Sequence, residues 1–389
     1  MEKQLKGYIP YKDKDYKKIW ENAYIVIDTN VIMNFYRYSD TSREELWKVL
    51  EILKDRLWMP YQISFEYLKN RENIIDNVEK SFTKIKEEFR KNAETLKNKL
   101  QTVDKKDMKC KDNIINVINE SNEKIRKMIE KEQDEQHDFK NEDIVLKKML
   151  QLFNGKCSEN ETEEKIKEIK AEANRRCENK IPPGYLDFKK QENHGDYYIF
   201  YSLKQKSKKE KRDIIFVTDD DKEDWYLKKD GMIKSGRLEL LQEFYVETKQ
   251  LLLICTTDLF LKSYNKYCSG RTPDNVIEEI QDIREKEKSE VANEKFERIK
   301  KIRRNIETEF LYKLKSMKAF LLEMLINYDK IDRIIERVEY IAKSIIEDTR
   351  YRRYHSKILM IIDELEQNVV NNLVIFKCIE ILDEIIEQF

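Results

Sequence analysis

The stretch YIVIDTNVIMNFYRYS, residues 24–39, begins with an unbroken run of apolar side chains and then changes abruptly. Tyr24 to Ile27 is short, β-branched in part and free of polar positions, which is typical of a parallel strand buried on both faces. Asp28 follows at once, and a carboxylate there is costly to bury unless something pairs with it. Open α/β sheets bind their ligands at the C-terminal ends of such strands. Two interpretations therefore stay open, a helix cap made by Asp28 or Asn30 and a functional site.

The composition of the 389-residue chain favours long exposed helices over disorder. Charged residues make up 39% of it, Lys+Arg and Asp+Glu number 76 each, and Gly and Pro number only 7 and 5. Such a charge content, combined with abundant Ile, Leu, Tyr and Phe, indicates solvated helices that still pack on a core. Because the formal net charge is zero, any binding of nucleic acid has to use a local patch.

The cysteines and the N-terminal segment narrow the class of protein. Six cysteines are present and no two have the spacing of a CxxC pair, which disfavours a cysteine-rich zinc site and a disulfide framework. The segment MEKQLKGYIPYKDKDYKKIW contains no apolar signal region, and no apolar run approaches the ~18 residues that a membrane helix needs. We therefore expect a soluble, cytoplasmic protein with no membrane association.

The residues after the opening stretch divide into regions of different character. RLWMP predicts a short second strand, and YQISFEYLKNR predicts a helix that carries Glu66. Residues 70–180 are rich in Lys, Glu and Asn, with sparse apolar residues at helical spacing, which indicates a long, coiled-coil-like helical insertion. Residues 272–389 carry no strand signal, so we expect an all-helical C-terminal domain.

Further strands follow the predicted insertion. KIPPGYLDF ends the insertion in a turn, and HGDYYIFYSLKQK predicts a helix with Asp196 in its first turn. RDIIFVTDDDKEDWY contains a buried strand from Ile214 to Val217, and LLLICTT contains another. Strands that alternate with helices predict a parallel sheet with helices on both faces. The predicted α/β core is discontinuous and comprises residues 1–69 and 181–268.

Acidic side chains stand at the ends of two predicted strands and on two predicted helices: Asp28, Glu66, Asp196 and the run Asp219, Asp220, Asp221. If the two strands are neighbours, their C-terminal ends meet in one crevice. Two full charges about 4 Å apart repel by roughly 4 kcal/mol at an effective dielectric near 20, so such a cluster implies a bound cation, raised pKa values, or both. Oxygen ligands suit Mg²⁺ or Mn²⁺ better than zinc. Carboxylates that hold such ions are used for attack of water on a phosphodiester.

Four segments in this order resemble the PIN-like family of metal-dependent nucleases: IVIDTNVIMNFYRYS, RLWMPYQISFEYLKNR, IPPGY…GDYYIF and IIFVTDDDKEDWY. The similarity is closest to the bacterial branch in which a long helical insertion separates the two halves of the PIN fold, and it extends over roughly residues 8 to 265. The resemblance implies a three-layer α/β core around a parallel central sheet that binds Mg²⁺ or Mn²⁺.

The resemblance also implies roles for individual residues. Asp28 matches the first acid of the family's D-x-N motif, and Asn30 matches the polar residue that steadies it. Glu66 matches the acid on the second helix, for which an exposed helix glutamate is the plain alternative. Asp196 matches the acid of a Gly-Asp helix start, for which a favourable first-turn charge is the alternative.

The last acid of the family pattern, Thr-x-Asp, falls on Asp220, with Thr218 as its hydroxyl partner. Asp219 and Asp221 leave this register open by one residue, so Asp219 is a second candidate metal ligand. Asp224 is expected to act from further away as a supporting residue. A solvated turn before a helix is the plain alternative for this acidic run.

These residues predict a metal-dependent nuclease that cuts RNA or single-stranded DNA. Defence against foreign nucleic acid, or toxicity to the host, is the setting expected by association. The alternative is a catalytically silent PIN fold that recruits partners through its helical arm and tail, and a hydrolase of small phosphates is a third interpretation. The C-terminal domain is expected to bind a partner protein, a second copy of the chain, or nucleic acid.

Overall fold

The computed structural model describes residues 4–104, 106–135, 138–187, 194–325, 331–367 and 370–389. The chain divides into two compact units, Met1–Lys286 and Glu287–Phe389. The described residues are mostly helical, with one small parallel sheet and one hairpin in the first unit. In the described part of the chain, no helix has the length and apolar character needed to cross a membrane.

The first unit contains all the described strands and most of the described helices. Its N-terminal part comprises α1 (Asp13–Asn22), β1 (Tyr24–Ile27), α2 (Thr29–Asn34), α3 (Asp40–Ile52) and α4 (Tyr61–Gln101). The middle part comprises α5 (Lys111–Glu135), α6 (Ile144–Leu152), α7 (Glu163–Glu178) and α8 (Gly195–Glu210). The last part comprises β2 (Ile214–Val217), β3 (Tyr226–Lys229), β4 (Met232–Gly236), α9 (Leu238–Thr248), β5 (Leu252–Cys255) and α10 (Thr257–Tyr267).

The central sheet is parallel and has the strand order β1-β2-β5. The apolar runs that predicted these strands are almost wholly buried, because helices cover both faces of the sheet. The backbone ladder continues just past β1, where the Asp28 N–H donates to the Val217 carbonyl at 2.9 Å. The C-terminal ends of β1 and β2 therefore lie side by side, and this places Asp28 next to Thr218.

The structure corrects one predicted strand and contains a pair of strands that was not predicted. The predicted strand RLWMP contributes only isolated bridges, Leu57 with Ile25 and Met59 with Cys157. A helix begins at Tyr61, which leaves this segment too short to extend the ladder. The antiparallel pair of β3 and β4 was not predicted. Its turn contains Asp230 and Gly231, both with positive φ, and an Asp-Gly pair of this kind is a hairpin signal.

The predicted insertion, residues 70–180, has two structurally different parts. The far end of α4 and the whole of α5 pack side by side, with Lys86 Nζ 3.1 Å from Gln133 Oε1, and α5 buries none of its side chains. In contrast, α6 and α7 bury apolar side chains in the main core, among them Val145 and Ile169. Only α4 and α5 thus resemble the arm expected for the whole span.

The second unit is a helical bundle with its own core. It contains the later turns of α11 (Asp274–Met324) together with α12 (Ile331–Ile346), α13 (His355–Gln367) and α14 (Asn372–Ile386). Its buried side chains include Leu314, Val338, Ile358 and Leu382. No strand occurs among the described residues of this unit, in agreement with the expected all-helical C-terminal region.

The boundary between the units differs from the one expected at residue 272. The first turns of α11 bury Val276 and Ile280 in the core of the first unit. Glu279 accepts hydrogen bonds from the hydroxyls of Ser39 and Ser42 at 2.8 and 2.6 Å. These contacts explain why the first unit extends to Lys286.

Candidate active site

Asp28 lies at the end of β1 and is also the N-cap residue of α2. It is only 7% exposed. Its carboxylate accepts hydrogen bonds from Thr29 N at 2.7 Å, Asn30 Nδ2 at 2.7 Å and Thr218 Oγ1 at 2.6 Å. The cap proposed for Asp28 from sequence is therefore present, and the carboxylate also faces other acids.

The pKa of Asp28 shows how these surroundings act on it. Burial raises the pKa of Asp28 to about 7, and the charges of Glu66 and Asp220 raise it as well, against the hydrogen bonds from Thr218 and Thr29. A buried carboxyl whose pKa is raised by neighbouring carboxylates is a common feature of functional sites. Asp28 is thus held near the midpoint of its titration at neutral pH.

Asn30 and Thr218 join the ends of β1 and β2. Asn30 Nδ2 lies 3.1 Å from Thr218 Oγ1, and Asn30 Oδ1 accepts a hydrogen bond from Asp219 N at 2.9 Å. Thr218 Oγ1 also accepts one from Asp220 N at 3.2 Å. These two side chains fix the position of Asp28 relative to the acidic run.

Glu66 is held against the same end of the sheet by α4. Its carboxylate accepts hydrogen bonds from Thr29 Oγ1 at 3.2 Å and from Gln62 Nε2 at 2.7 Å. The start of α8 approaches it closely, because a Cβ atom on Gly195 would lie 2.7 Å from Glu66 Oε1. A glycine at this position therefore lets α8 bring Asp196 to the site.

Asp196 and Asp220 share one ammonium group. Lys222 Nζ lies 2.7 Å from Asp220 Oδ2 and 3.8 Å from Asp196 Oδ2. These contacts, together with the close approach of Gly195 to Glu66, gather a set of residues at the edge of the sheet that we call the acid ring. It consists of Asp28, Thr218, Asp220, Lys222, Asp196, Gly195, Glu66 and Thr29.

Asp219 faces a different element from Asp220. Its carboxylate accepts hydrogen bonds from Thr257 N and Thr257 Oγ1, both at 2.9 Å, at the start of α10. Asn34 Nδ2 lies 3.5 Å from it. Burial raises the pKa of Asp219 to about 6, against these hydrogen bonds from Thr257. Asp219 therefore contacts a helix start, while Asp220 contacts Lys222 of the acid ring.

Asp224 lies behind the acid ring and is fully buried. Its Oδ2 accepts a hydrogen bond from Gly184 N at 2.9 Å, and Gly184 has a φ of +88°. Burial raises the pKa of Asp224. This contact anchors the Pro-Pro-Gly turn before α8.

The donor atoms of the acid ring determine whether it can hold a divalent cation. Within the described ranges, no three His, Cys, Asp or Glu side chains are arranged so as to hold a metal ion directly. The carboxylate oxygens of the ring are nevertheless the donors that Mg²⁺ and Mn²⁺ prefer. Lys222 supplies positive charge between Asp196 and Asp220. The ring therefore fits a hard cation in its composition, and the Lys222 ammonium lies between two of its donors.

Several residues of the site were not identified from sequence. Lys222 follows the acidic run directly, and a lysine placed among acids was the available signal for it. Gln62 precedes Glu66 by one helical turn, a spacing at which side chains meet. In the sequence, Gly195 indicates only the start of a helix. Thr257 follows β5, and no pattern in the sequence connects it with Asp219.

The fold and the acid ring together define an α/β domain with carboxylates gathered where its parallel strands end. A family model described as a PIN like domain matches residues 24–240, which is more than half of the chain. The chain belongs to this PIN-like domain family. No curated protein and no solved structure matches it.

A test of the acid ring is the substitution Gly195→Ala. The added methyl group would lie 2.7 Å from Glu66 Oε1, so the Glu66 side chain has to move. Because that atom is the far end of a flexible side chain, we expect the melting temperature to change little. We expect any metal-dependent cleavage to fall by about tenfold or more, as misplaced groups in active sites commonly do. A double-mutant cycle with Glu66→Gln should be strongly non-additive, and additive losses would place Glu66 outside the site.

Proposed function

We propose that this protein hydrolyses phosphodiester bonds of RNA or single-stranded DNA with the help of Mg²⁺ or Mn²⁺. The observation that carries the proposal is the acid ring, in which Asp28, Glu66, Asp196 and Asp220 gather at the end of β1 and β2. Membership of the PIN-like family supports it. Asp28, Glu66, Asp196 and Asp220 are the proposed metal ligands and catalytic residues, and Asp219 is proposed to position them.

The residues around Asp28 have separate roles in this proposal. When bound, the metal ion supplies positive charge for the phosphate oxygens and lowers the pKa of a bound water. Asn30 and Thr218 keep Asp28 aligned with Asp220 through the hydrogen bonds described above. The raised pKa of Asp28 lets it hold or release a proton near neutral pH.

A second candidate function is a catalytically silent PIN-like domain that binds nucleic acid or partner proteins. The observation that favours it is the ion pair from Lys222 to Asp220 and Asp196. This ammonium contacts two of the four carboxylates and offsets one of their negative charges. The defence or toxin setting, the cytoplasmic location and the binding of a partner or second copy by the helical bundle are likewise proposals.

Binding and cleavage measured in parallel distinguish the two functions. Purified protein would be incubated with labelled RNA, single-stranded DNA and duplex DNA, each with Mn²⁺ and with Mg²⁺. Mobility shifts and product gels would be read from the same reactions. A nuclease should cleave at least one single-stranded substrate, whereas the silent domain should shift substrates without cutting them. Binding to every substrate with no product would overturn the nuclease proposal.

A further prediction concerns the Lys222 ammonium group, which lies between Asp196 and Asp220. Lys222→Met removes the ammonium but keeps a long apolar side chain, so we expect tighter binding of Mn²⁺, by about tenfold, in calorimetric titrations. The matched control is Lys228→Met, because Lys228 is equally half-buried and pairs with Asp221 at 3.0 Å instead. The control should bind Mn²⁺ like the wild type. Unchanged affinity in Lys222→Met would show that Lys222 does not compete with the metal.

A further inference from the structure

The first turns of α4 carry a row of aromatic and basic side chains on the surface. The rings of Tyr61 and Phe65 are stacked, with centroids 6.1 Å apart and planes 13° apart. Lys69 Nζ lies 5.7 Å from the centroid of the Phe65 ring. Phe65 is 43% exposed. These three residues, Tyr61, Phe65 and Lys69, are called the stacking strip.

The stacking strip lies on the same helix as Glu66 and beside it. Residues four apart on an α-helix lie above one another, so Tyr61, Phe65 and Lys69 form one row. Gln62 and Glu66 form the adjacent row, which contacts Thr29 of the acid ring. The strip therefore runs along one side of the proposed catalytic site.

The strip is not needed for packing of the core. The buried face of this part of α4 is formed by Ile63 and Tyr67, which are 0% and 3% exposed. Phe65 belongs to neither hydrophobic core. Its solvent-facing ring therefore contributes little to folding and is available to a ligand.

The chemistry of the strip fits an unpaired nucleobase. Single-stranded nucleic acid is commonly bound by aromatic rings on which bases stack and by cations that contact the backbone. Removal of one such aromatic ring commonly weakens binding by about tenfold or more. The bases of a duplex are already stacked on one another and present only their edges, so a surface ring does not gain the same contact from a duplex.

We propose that Tyr61, Phe65 and Lys69 bind an unpaired base of a single-stranded nucleic acid and so hold its backbone beside the acid ring. This inference rests on the proposed function and adds to it the residues that would hold an unpaired base beside the site. Phe65 provides the exposed ring, Tyr61 stacks with it, and the flexible side chain of Lys69 places positive charge over it.

The binding test uses Phe65→Trp in the Asp28→Asn background, so that substrate stays intact. The four native tryptophans are all buried, which makes the introduced indole the exposed reporter. Its fluorescence would be titrated with single-stranded RNA, single-stranded DNA and the matching duplex. We expect quenching by one or both single strands and little change with duplex. Equal quenching by duplex, or none by any strand, would overturn the inference.

The matched control is Phe89→Trp in the same background. Phe89 lies further along α4 and is 44% exposed, which is almost the same as Phe65. We expect its fluorescence to stay unchanged on addition of the same strands. Quenching of both reporters to the same extent would show nonspecific binding along α4 and would contradict a defined strip.

A kinetic test separates failure of the strip from failure of the proposed function. In the otherwise wild-type protein, Phe65→Ala should raise KM for a single strand by about tenfold or more while changing kcat little, since it removes one base stack. An unchanged KM in an active nuclease would reject the strip and leave the nuclease proposal standing. Conversely, quenching in the fluorescence test by a protein that never cleaves would support the strip and reject the nuclease.

Discussion

Asp220→Asn is expected to lower metal-dependent cleavage by several orders of magnitude, and Asp219→Asn is expected to leave it close to the wild-type rate. Asp220 pairs with Lys222 in the acid ring, so its charge is the one that a metal ion would use. Asp219 accepts hydrogen bonds from Thr257 N and Oγ1 instead. An asparagine can still accept from that backbone N–H, as capping asparagines do.

The two variants form a matched pair, because they make the same chemical change at adjacent positions. Initial rates of cleavage and thermal melts would be measured on both proteins at several Mn²⁺ concentrations. Similar melting temperatures would show that both fold. The reverse order of activities would move the Thr-x-Asp register by one residue and make Asp219 the ligand.

Asp28→Asn is expected to abolish most cleavage while the metal-free protein keeps its stability or gains some. The variant retains the shape of the cap and removes one charge from the acid ring. Burial raises the pKa of Asp28 from its ordinary value of 3.8 to about 7. Ionisation of this group therefore destabilises the folded state, by at most about 4 kcal/mol at 1.36 kcal/mol per pKa unit. The loss of one acceptor oxygen for Thr29, Asn30 or Thr218 offsets part of the gain.

The size of this effect depends on pH. At pH 4 and below, Asp28 is largely protonated in the folded state, so the variant should show little advantage. Between about pH 4 and pH 7 the carboxyl ionises in the unfolded chain but stays protonated in the folded wild type, so the relative stability of the variant rises through this range and levels off above about pH 7. Thermal melts at pH 5 and pH 8 without divalent cations measure the difference. A variant that cleaves at the wild-type rate would identify Asp28 as a helix cap alone.

The sheet was predictable because its strands are short apolar runs that need burial on both faces. The same logic placed Asp28 at the end of β1 and Thr218 at the end of β2, where the structure brings them to 2.6 Å. Glu66 and Asp196 were predicted as site residues only from the family resemblance. The local sequence pattern alone is equally typical of ordinary acidic residues on a helix.

Contacts between distant parts of the chain were not predictable. Asp219 turns away from the acid ring because it accepts a hydrogen bond from Thr257. Thr257 lies near Asp219 only because β5 pairs with β2. The core helix α7 carries sparse apolar residues at helical spacing, as the exposed arm does. Periodicity therefore could not separate them, and only tertiary packing distinguishes the two.

The metal dependence of cleavage by the wild-type protein tests the central claim most directly. A labelled single strand would be incubated with purified protein after removal of metal by a chelator, and then with Mn²⁺ or Mg²⁺ in excess. We predict no product with chelator, product that accumulates after either ion is added, and loss of activity when chelator is added again. Cleavage at the same rate with and without chelator, or no cleavage of any strand with either ion, would contradict a carboxylate-held metal nuclease.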